Sequence, residues 1–573
     1  MPTISVKKRD IELLSGEDMS IERISTLLSL VKGEIKEVDE EEIKIELSDT
    51  NRPDLWCSEG IARQLRYKIK GGDIPLYPFY DSDNRKGHEV IVSDGVRRVR
   101  PYIAACIAKG VSIDNDALKD IIQTQEKLSE NFGRKRTTVS IGIYRLEKIS
   151  FPVYYKTVDP DTLSFIPLGF DKEMTMREIL NQHPKGKSYG YILSEQNGKD
   201  DYPILMDNDG KVLSFPPIIN SREIGEVRVG DKELFVEITG TDLRLLMLAL
   251  NILATNLYDR GGEITPVHVN FPYDTEYGRS VRLPYNLSKP VAVQLSDVKV
   301  VLGESLTIDE VYRVLKEYGY KVRKSKDMIE ATPPPYRDDI MHPIDIIEDI
   351  AISKGYESFV PILPSRFTVG SLSEIEVISD KVREYMIGLG FQEIISNILS
   401  PETEIRDKMC LDGSESKVIE VDNAMSESYG VVRDWIIPSL LRVEHISSRS
   451  FYPHNIFEVG ETVEYDKSEK ETATRTLIKL GTLLSHNRAN FSELHSSLDM
   501  LLYYLGIGYK LQPFHHPSFI EGRSGKIVWR DNIKGSQDIE IGIIGELHPQ
   551  VLENWKIDIP CTAFELYIDR LIL

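Results

Sequence analysis

Apolar and polar positions along this 573-residue chain follow two periods, and the changes of period mark the expected elements. "EIKIELS", "TVSIGIY", "PVYYKTV" and "ELFVEIT" alternate every second residue or nearly so, which predicts strands. "LRLLMLALNILATNLY" at 243–258 is apolar almost all round and predicts a buried helix. Arg244, Asn251 and Asn256 interrupt it, and it is too short to span a membrane. In "SDTNRPDLWCSEGIARQLRYKI", Leu55, Ile61 and Leu65 share one face behind Pro53, the mark of a helix start. "EIEVISDKVREYMIGLG" predicts a long amphipathic helix, and many strands follow it. That order points to an antiparallel sheet flanked by helices. "HVNFPYDTEYGRSVRLPYN", residues 268–286, reads as a linker.

No internal repeat appears, so a solenoid is not expected. The chain is too long for one core, and the expected fold is α+β and multidomain. The expected domains are an N-terminal α/β domain at 1–90, a mixed domain at 91–270, a compact helical domain at 274–365 and a sheet domain at 370–573. A content of 41% hydrophobic and 28% charged residues is ordinary for a soluble protein. Cys57, Cys106, Cys410 and Cys561 are far apart with no CxxC pair, which argues against zinc or a disulfide framework. With no apolar signal core in "MPTISVKKRDIELL", a cytoplasmic protein without membrane contact is expected. A net charge of −21 means that any nucleic acid must be met by a local patch or a partner subunit. "FGRKR" at 132–136 is the densest small basic cluster; on composition alone it reads as a solvated loop.

The stretch "PPPYRDDIMHPIDIIEDIAISKGY" gathers carboxylates where a helix must neutralise them. After Pro343, Asp345, Glu348 and Asp349 fall at i, i+3 and i+4 on one face, with Asp339 just upstream. Three readings remain open. An acidic first turn complements the helix dipole, which suits Asp345 better than the deeper pair. Arg337 can neutralise part of the charge as a salt-bridge partner. A bound cation is the third, and an all-carboxylate donor set selects magnesium over zinc.

This stretch resembles the magnesium-binding helical domain of the phenylalanyl-tRNA synthetase beta subunit family, whose motif runs R-x-D-I, D-x-x-E-[ED]-I-A, G-Y. The resemblance covers essentially the whole chain and is of the archaeal and eukaryotic type. "NRPDLWCSEGIARQLRY" is similar to the family's N-terminal signature. "SIGIYRLEKISFPVYY", "VLSFPPIINS" and "VEITGTD" resemble its editing region. "IFEVGETVEY" and "IGIIGELHPQVLENWKIDIPCTAFEL" resemble its class II synthetase-like C-terminal domain.

The resemblance implies magnesium ligands at Asp339, Asp345, Glu348 and Asp349. It implies an editing site at 91–270 made by Leu205, Ser214, Glu237 and Thr239, with Asn220 and Ser221 lining the pocket. Glu237 is the implied acceptor for a tyrosine hydroxyl, where some relatives carry Asp. It further implies a tetramer of two alpha and two beta subunits acting on tRNA(Phe), with ATP used at the alpha-subunit active site. Class II catalytic subunits carry a G-x-G-x-x-R strand, whereas "IGIIGELHP" places Glu546 after Gly545 and has no arginine. The C-terminal domain is therefore expected to be an inert copy. "TGTD" before the apolar helix also fits a plain N-cap by Thr241 or Asp242. A free-standing deacylase and a structural tRNA-binding scaffold are the rival functions.

Overall fold

The computed structural model describes all residues except 1, 40–41, 49–50, 73–76, 82–87, 195–201, 412–417, 531–537 and 573. The chain forms two compact units, Met1–Ile362 and Leu363–Leu573.

Unit one opens with an antiparallel sheet of β1 (Thr3–Lys7), β2 (Gly33–Val38) and β3 (Glu42–Leu47), in the order β1-β3-β2. Ile43, Ile45 and Leu47 point into the core while Lys44 stays exposed, as a period of two requires. Pro53 begins a short turn of 3-10 helix, and the helix Ser58–Ile69 follows it. A Cβ on Gly60 would lie 1.7 Å from the Asp54 carbonyl oxygen, so only glycine lets turn and helix meet this closely. Leu55, Ile61 and Leu65 are all buried, as their spacing predicts.

Next come β4 (His88–Val92), β5 (Tyr102–Lys109), β6 (Val139–Arg145), β7 (Val153–Val158), β8 (Ser164–Phe165) and β9 (Met174–Thr175). They are followed by β10 (Tyr202–Met206), β11 (Val212–Phe215), β12 (Ile219–Asn220), β13 (Glu233–Gly240), β14 (Glu263–Asn270) and β15 (Ser280–Leu283). The main sheet runs β12-β11-β10-β7-β4-β14-β5-β13-β6, with β15 added to β14, while β8 and β9 pair separately. Its pairings are antiparallel except that β4 is parallel to β7 and to β14. The apolar helix Leu243–Asp259 packs across β5 and β13. Asp242 caps it by accepting from the Leu245 amide at 3.1 Å, so the plain reading of "TGTD" holds for Asp242.

The stretch 268–286 is no linker. β14 and β15 pair with Val267 opposite Leu283 and Asn270 opposite Ser280. Pro272, Gly278 and the charges of Asp274, Glu276 and Arg279, which hid this alternation, lie in the loop 271–279 between the strands. The expected limits at 90 and 270 therefore cut through β4 and separate β14 from β15.

β12 and β6 stand at opposite edges of the main path. Yet the Tyr144 hydroxyl on β6 lies 3.5 Å from Asn220 Oδ1 on β12. The sheet curls until its edges face each other, and a cavity opens in the seam.

The rest of unit one is a small sheet of Val291–Gln294, Met328–Thr332 and Lys321–Ser325, packed with helices that include Ile308–Lys316 and Pro343–Lys354. Unit two begins with the helix Glu374–Gly388. Its seven-stranded sheet has the spatial order Gln392–Glu393, His454–Tyr465, Thr474–Ser485, Cys561–Tyr567, Asp538–Leu547, Phe519–Arg530, Tyr509–Pro513. All pairings in it are antiparallel except that of the first strand. The expected antiparallel sheet with flanking helices is what forms. Among the described residues no helix is long and apolar enough to cross a membrane.

Candidate functional site

The seam cavity holds about 370 Å³ and is lined by β6, β11, β12, β13, the helix Asn115–Lys127 and the Pro216–Pro217 turn. Glu237 enters it from β13, opposite Gly142 of β6. A Cβ at position 142 would come 2.5 Å from Glu237 Oε1 and 2.1 Å from the Tyr144 oxygen. Glycine inside this strand leaves the room in which carboxyl and phenol meet. The Tyr144 hydroxyl donates to Glu237 Oε1 at 2.7 Å.

Glu237 is 3% exposed, and its Oε2 has no hydrogen-bond partner of good geometry; nor has the neighbouring Ser214 Oγ. Buried polar atoms left unpaired cost about 1–3 kcal/mol each, so two in one cavity mark a place shaped for a polar visitor. Burial lifts the Glu237 carboxyl to about 7, and Tyr144, the Arg100 charge and Ser214 pull the other way. The group thus changes charge near neutrality, which is frequent at functional sites.

Of the six expected pocket residues, Ser214, Asn220 and Glu237 line the cavity together. The other three stand behind or beside it. Leu205 pairs with Ser214 across the β10–β11 ladder and is fully buried among core residues, off the cavity lining. Thr239 is fully buried under Arg100, which donates from Nε to its Oγ1 at 3.0 Å and from Nη2 to its carbonyl at 2.6 Å. Ser221 follows Asn220 with the alternation of a strand and lines a neighbouring cleft instead.

Sequence reading missed Tyr144, Arg100 and Arg136. Arg136 belongs to the "FGRKR" cluster, but it is not a solvated group. It lines the cavity, donates from Nη1 to the Pro217 and Ile218 carbonyls at 3.2 and 3.1 Å, and lies over the Tyr189 ring. Gly142 within an apolar strand was the one local signal that two side chains would meet there.

The acidic helix is equally defined by its partners. Arg337 donates to both oxygens of Asp339, from Nε at 3.0 Å and from Nη2 at 2.5 Å. Its Nη1 donates to Asp349 Oδ2 at 2.7 Å, and the Tyr320 hydroxyl donates to the same oxygen at 2.5 Å. Burial alone would raise Asp339, but the guanidinium charges of Arg337 and Arg52 hold it at about 2. For Asp349 burial wins over the same two arginines, and its carboxyl is raised. Asp345 Oδ2 accepts from the Met341 and His342 amides at 2.8 and 2.7 Å, closing a capping box. Glu348 is exposed and pairs with Lys32 at 2.5 Å.

The four carboxylates do not form one cage. Among the described residues no group of three or more His, Cys, Asp or Glu side chains is arranged to hold a metal ion. In this arrangement the repulsion is answered by Arg337 for the buried pair, by the helix N-terminus for Asp345 and by Lys32 for Glu348.

In unit two Glu546 accepts from the Phe491 amide at 2.9 Å and from Arg523 Nη1 at 2.6 Å. It serves the start of the helix Phe491–Tyr504.

Comparison with known proteins follows the same division. Residues 291–356 match the tRNA synthetase B5 domain, and residues 361–568 match the phenylalanyl tRNA synthetase beta chain CLM domain. The chain is 39% identical to the phenylalanine--tRNA ligase beta subunit of Borrelia recurrentis over the full length of both. It is 38% identical to that of Thermococcus kodakarensis over 99% of this chain and 98% of the relative. A crystal structure of an N-terminal fragment of the phenylalanyl-tRNA synthetase beta subunit from Pyrococcus horikoshii is similar, with a TM-score of 0.58 and 38% identity. It covers 62% of this chain and all of that fragment. The signature motifs, the two domain matches and full-length identity agree: this chain belongs to the phenylalanine--tRNA ligase beta subunit family.

Proposed function

We propose that this chain acts with an alpha subunit to attach phenylalanine to tRNA(Phe), and that its seam cavity hydrolyses tRNA mischarged with tyrosine. As a member of the family the chain is a component of an aminoacyl-tRNA synthetase and has a role in making phenylalanyl-tRNA. The observation that carries the editing reading is Glu237 Oε2, without a hydrogen-bond partner of good geometry, beside Ser214 Oγ in the partly open seam cavity.

Phenylalanine and tyrosine differ by one hydroxyl, and an apolar synthetic pocket rejects such an addition only about a hundredfold. A second pocket that pairs the hydroxyl reverses the preference, because phenylalanine leaves Oε2 unpaired. In the hydrolysis a water oxygen bonds to the ester carbonyl carbon, the bond from that carbon to the ribose oxygen breaks, and the water proton passes to the ribose oxygen. Among the described residues no cysteine or histidine lines the cavity, and in this reading a positioned water and the terminal hydroxyl of the tRNA supply the chemistry.

ATP is consumed at the alpha-subunit active site in this reading, and the class II-like unit two is a structural copy. The chain alone is expected to give no phenylalanine-dependent pyrophosphate exchange, with activity appearing on addition of alpha. Exchange by pure beta subunit at a rate near that of the complex would refute the inert copy.

The magnesium reading is carried forward in narrower form. Magnesium keeps several waters and often takes only one or two carboxylates. Asp345 and Glu348, the two whose partners leave them at the surface, are the pair able to offer oxygens to a hydrated ion, while Arg337 keeps Asp339 and Asp349. Asp345→Asn with Glu348→Gln is expected to abolish magnesium binding to the whole chain in titration calorimetry. Unchanged heats in the double variant would exclude this pair.

A further inference from the structure

The reading of Glu237 as a hydroxyl sensor leaves one buried group unexplained, the phenol already bound to it. Tyr144 is fully buried, and its hydroxyl donates to Glu237 Oε1 at 2.7 Å while lying 3.5 Å from Asn220 Oδ1. The cavity thus contains a resident phenol of the same chemistry as the side chain to be recognised. It occupies one carboxyl oxygen, while the other has no hydrogen-bond partner of good geometry, with the Ser214 hydroxyl close enough to pull the carboxyl down.

We propose that Tyr144 is a positioning residue that fixes Glu237 with Oε1 satisfied and Oε2 turned to the incoming hydroxyl, and that it sets the pH range over which tyrosine is recognised. Two geometric facts support it. Gly142 stands beside the Tyr144–Glu237 contact, where a Cβ would lie 2.1 Å from the phenol oxygen and 2.5 Å from Glu237 Oε1. Tyr144 also joins the two sheet edges, since it projects from β6 and reaches Asn220 on β12. A hydroxyl donor to one oxygen restricts rotation of the carboxyl and removes the choice of which oxygen the substrate meets. Without it, either oxygen can rotate to meet the ligand and part of the binding energy is spent on ordering.

The donor also favours the charged carboxylate, because hydrogen bonding to the ionised form lowers the carboxyl pKa. The other groups acting on Glu237 are Arg100, Ser214 and Tyr155, and Arg136, Lys185, Glu126 and Glu226 line the same cavity. Tyr144→Phe removes the donor and none of these. The sign follows: Glu237 in the variant ionises at a higher pH, and recognition that needs the carboxylate moves upward with it.

The proposal rests on the editing reading, and the experiment separates the two. The assembled enzyme, wild type, Tyr144→Phe and Glu237→Gln, is assayed for single-turnover deacylation of tyrosyl- and phenylalanyl-tRNA between pH 5.5 and 9. Wild type is expected to gain tyrosine preference through a midpoint near 7. Tyr144→Phe is expected to move that midpoint up by about one pH unit and to lower the preference about fivefold at pH 7. Glu237→Gln is expected to lose the pH dependence. A Tyr144→Phe midpoint equal to wild type overturns the positioning role even if the preference drops, because a purely structural phenol changes amplitude and not midpoint. A wild type with no tyrosine preference overturns the editing reading and the specificity role together. Infrared titration of the Glu237 carboxyl in the free chain then shows whether the Tyr144 coupling survives as a structural contact alone.

Discussion

Glu237→Ala slows deacylation of tyrosyl-tRNA by about ten- to a hundredfold and leaves phenylalanyl-tRNA nearly unchanged. A hydrogen bond to a charged group contributes about 1.5–3 kcal/mol, and that sets the factor. The measurement is single-turnover deacylation of both charged tRNAs by assembled enzyme, with aminoacylation intact as the control. Equal slowing of both substrates would mean that Glu237 holds the sheet edges together and reads nothing. The pH dependence has a definite sign. The carboxyl titrates at about 7, so tyrosine preference is full above that pH and falls as pH drops through it. Stability runs in the opposite sense. The folded pKa lies above the ordinary 4.5, so the contribution of the neutral carboxyl is complete below 4.5 and is lost as pH rises through about 7. Glu237→Gln removes that loss and is expected to stabilise the protein at pH 8.

Arg337→Leu destabilises unit one by about 3–5 kcal/mol, the cost of removing one partner from a buried ion network. Its side chain is 1% exposed, and Asp339 and Asp349 are nearly as deep at 8% and 7%. The single variant takes from Asp349 its ion-pair partner and leaves Asp339 with the more distant Arg52, whose Nε is 3.9 Å away. Adding Asp339→Asn and Asp349→Asn is expected to recover most of the loss, because neutral amides no longer need it. Urea denaturation of the full chain, followed through the transition of unit one, measures both. A single variant within 1 kcal/mol of wild type would show that Arg337 is dispensable and that some other group balances the pair.

The periodic parts of the fold were legible because burial writes itself into spacing. β3, β6, β7 and β13, the helix Leu243–Asp259 and the helix Pro343–Lys354 all stand where alternation or apolar runs place them. β14 and β15 escaped because their hairpin loop is rich in residues that also make linkers, and no local pattern reveals a parallel neighbour such as β4. The site was legible as motifs but not as directions. Asn220 and Ser221 are adjacent in sequence and open to different clefts, while Glu237 and Thr239 share a strand face that Arg100 then divides. Arg100 approaches from outside the motif, and nothing in its own neighbourhood announces that contact. The acidic helix shows the same limit. Its charges were visible, but the choice among cap, cation and Arg337 depended on which oxygen each partner reaches.

The curled sheet imposes an order on synthesis. A ribosome delivers β5, β6 and β13 by residue 240, and β10, β11 and β12 by residue 220. These two groups carry the opposing walls of the cavity, yet no strand among them joins one group to the other. The joining strand is β14, which follows the apolar helix and ends at Asn270. A nascent chain arrested before residue 263 therefore holds Glu237 and Ser214 on separate ribbons, and protease sensitivity of such chains is expected to persist until β14 has cleared the exit tunnel.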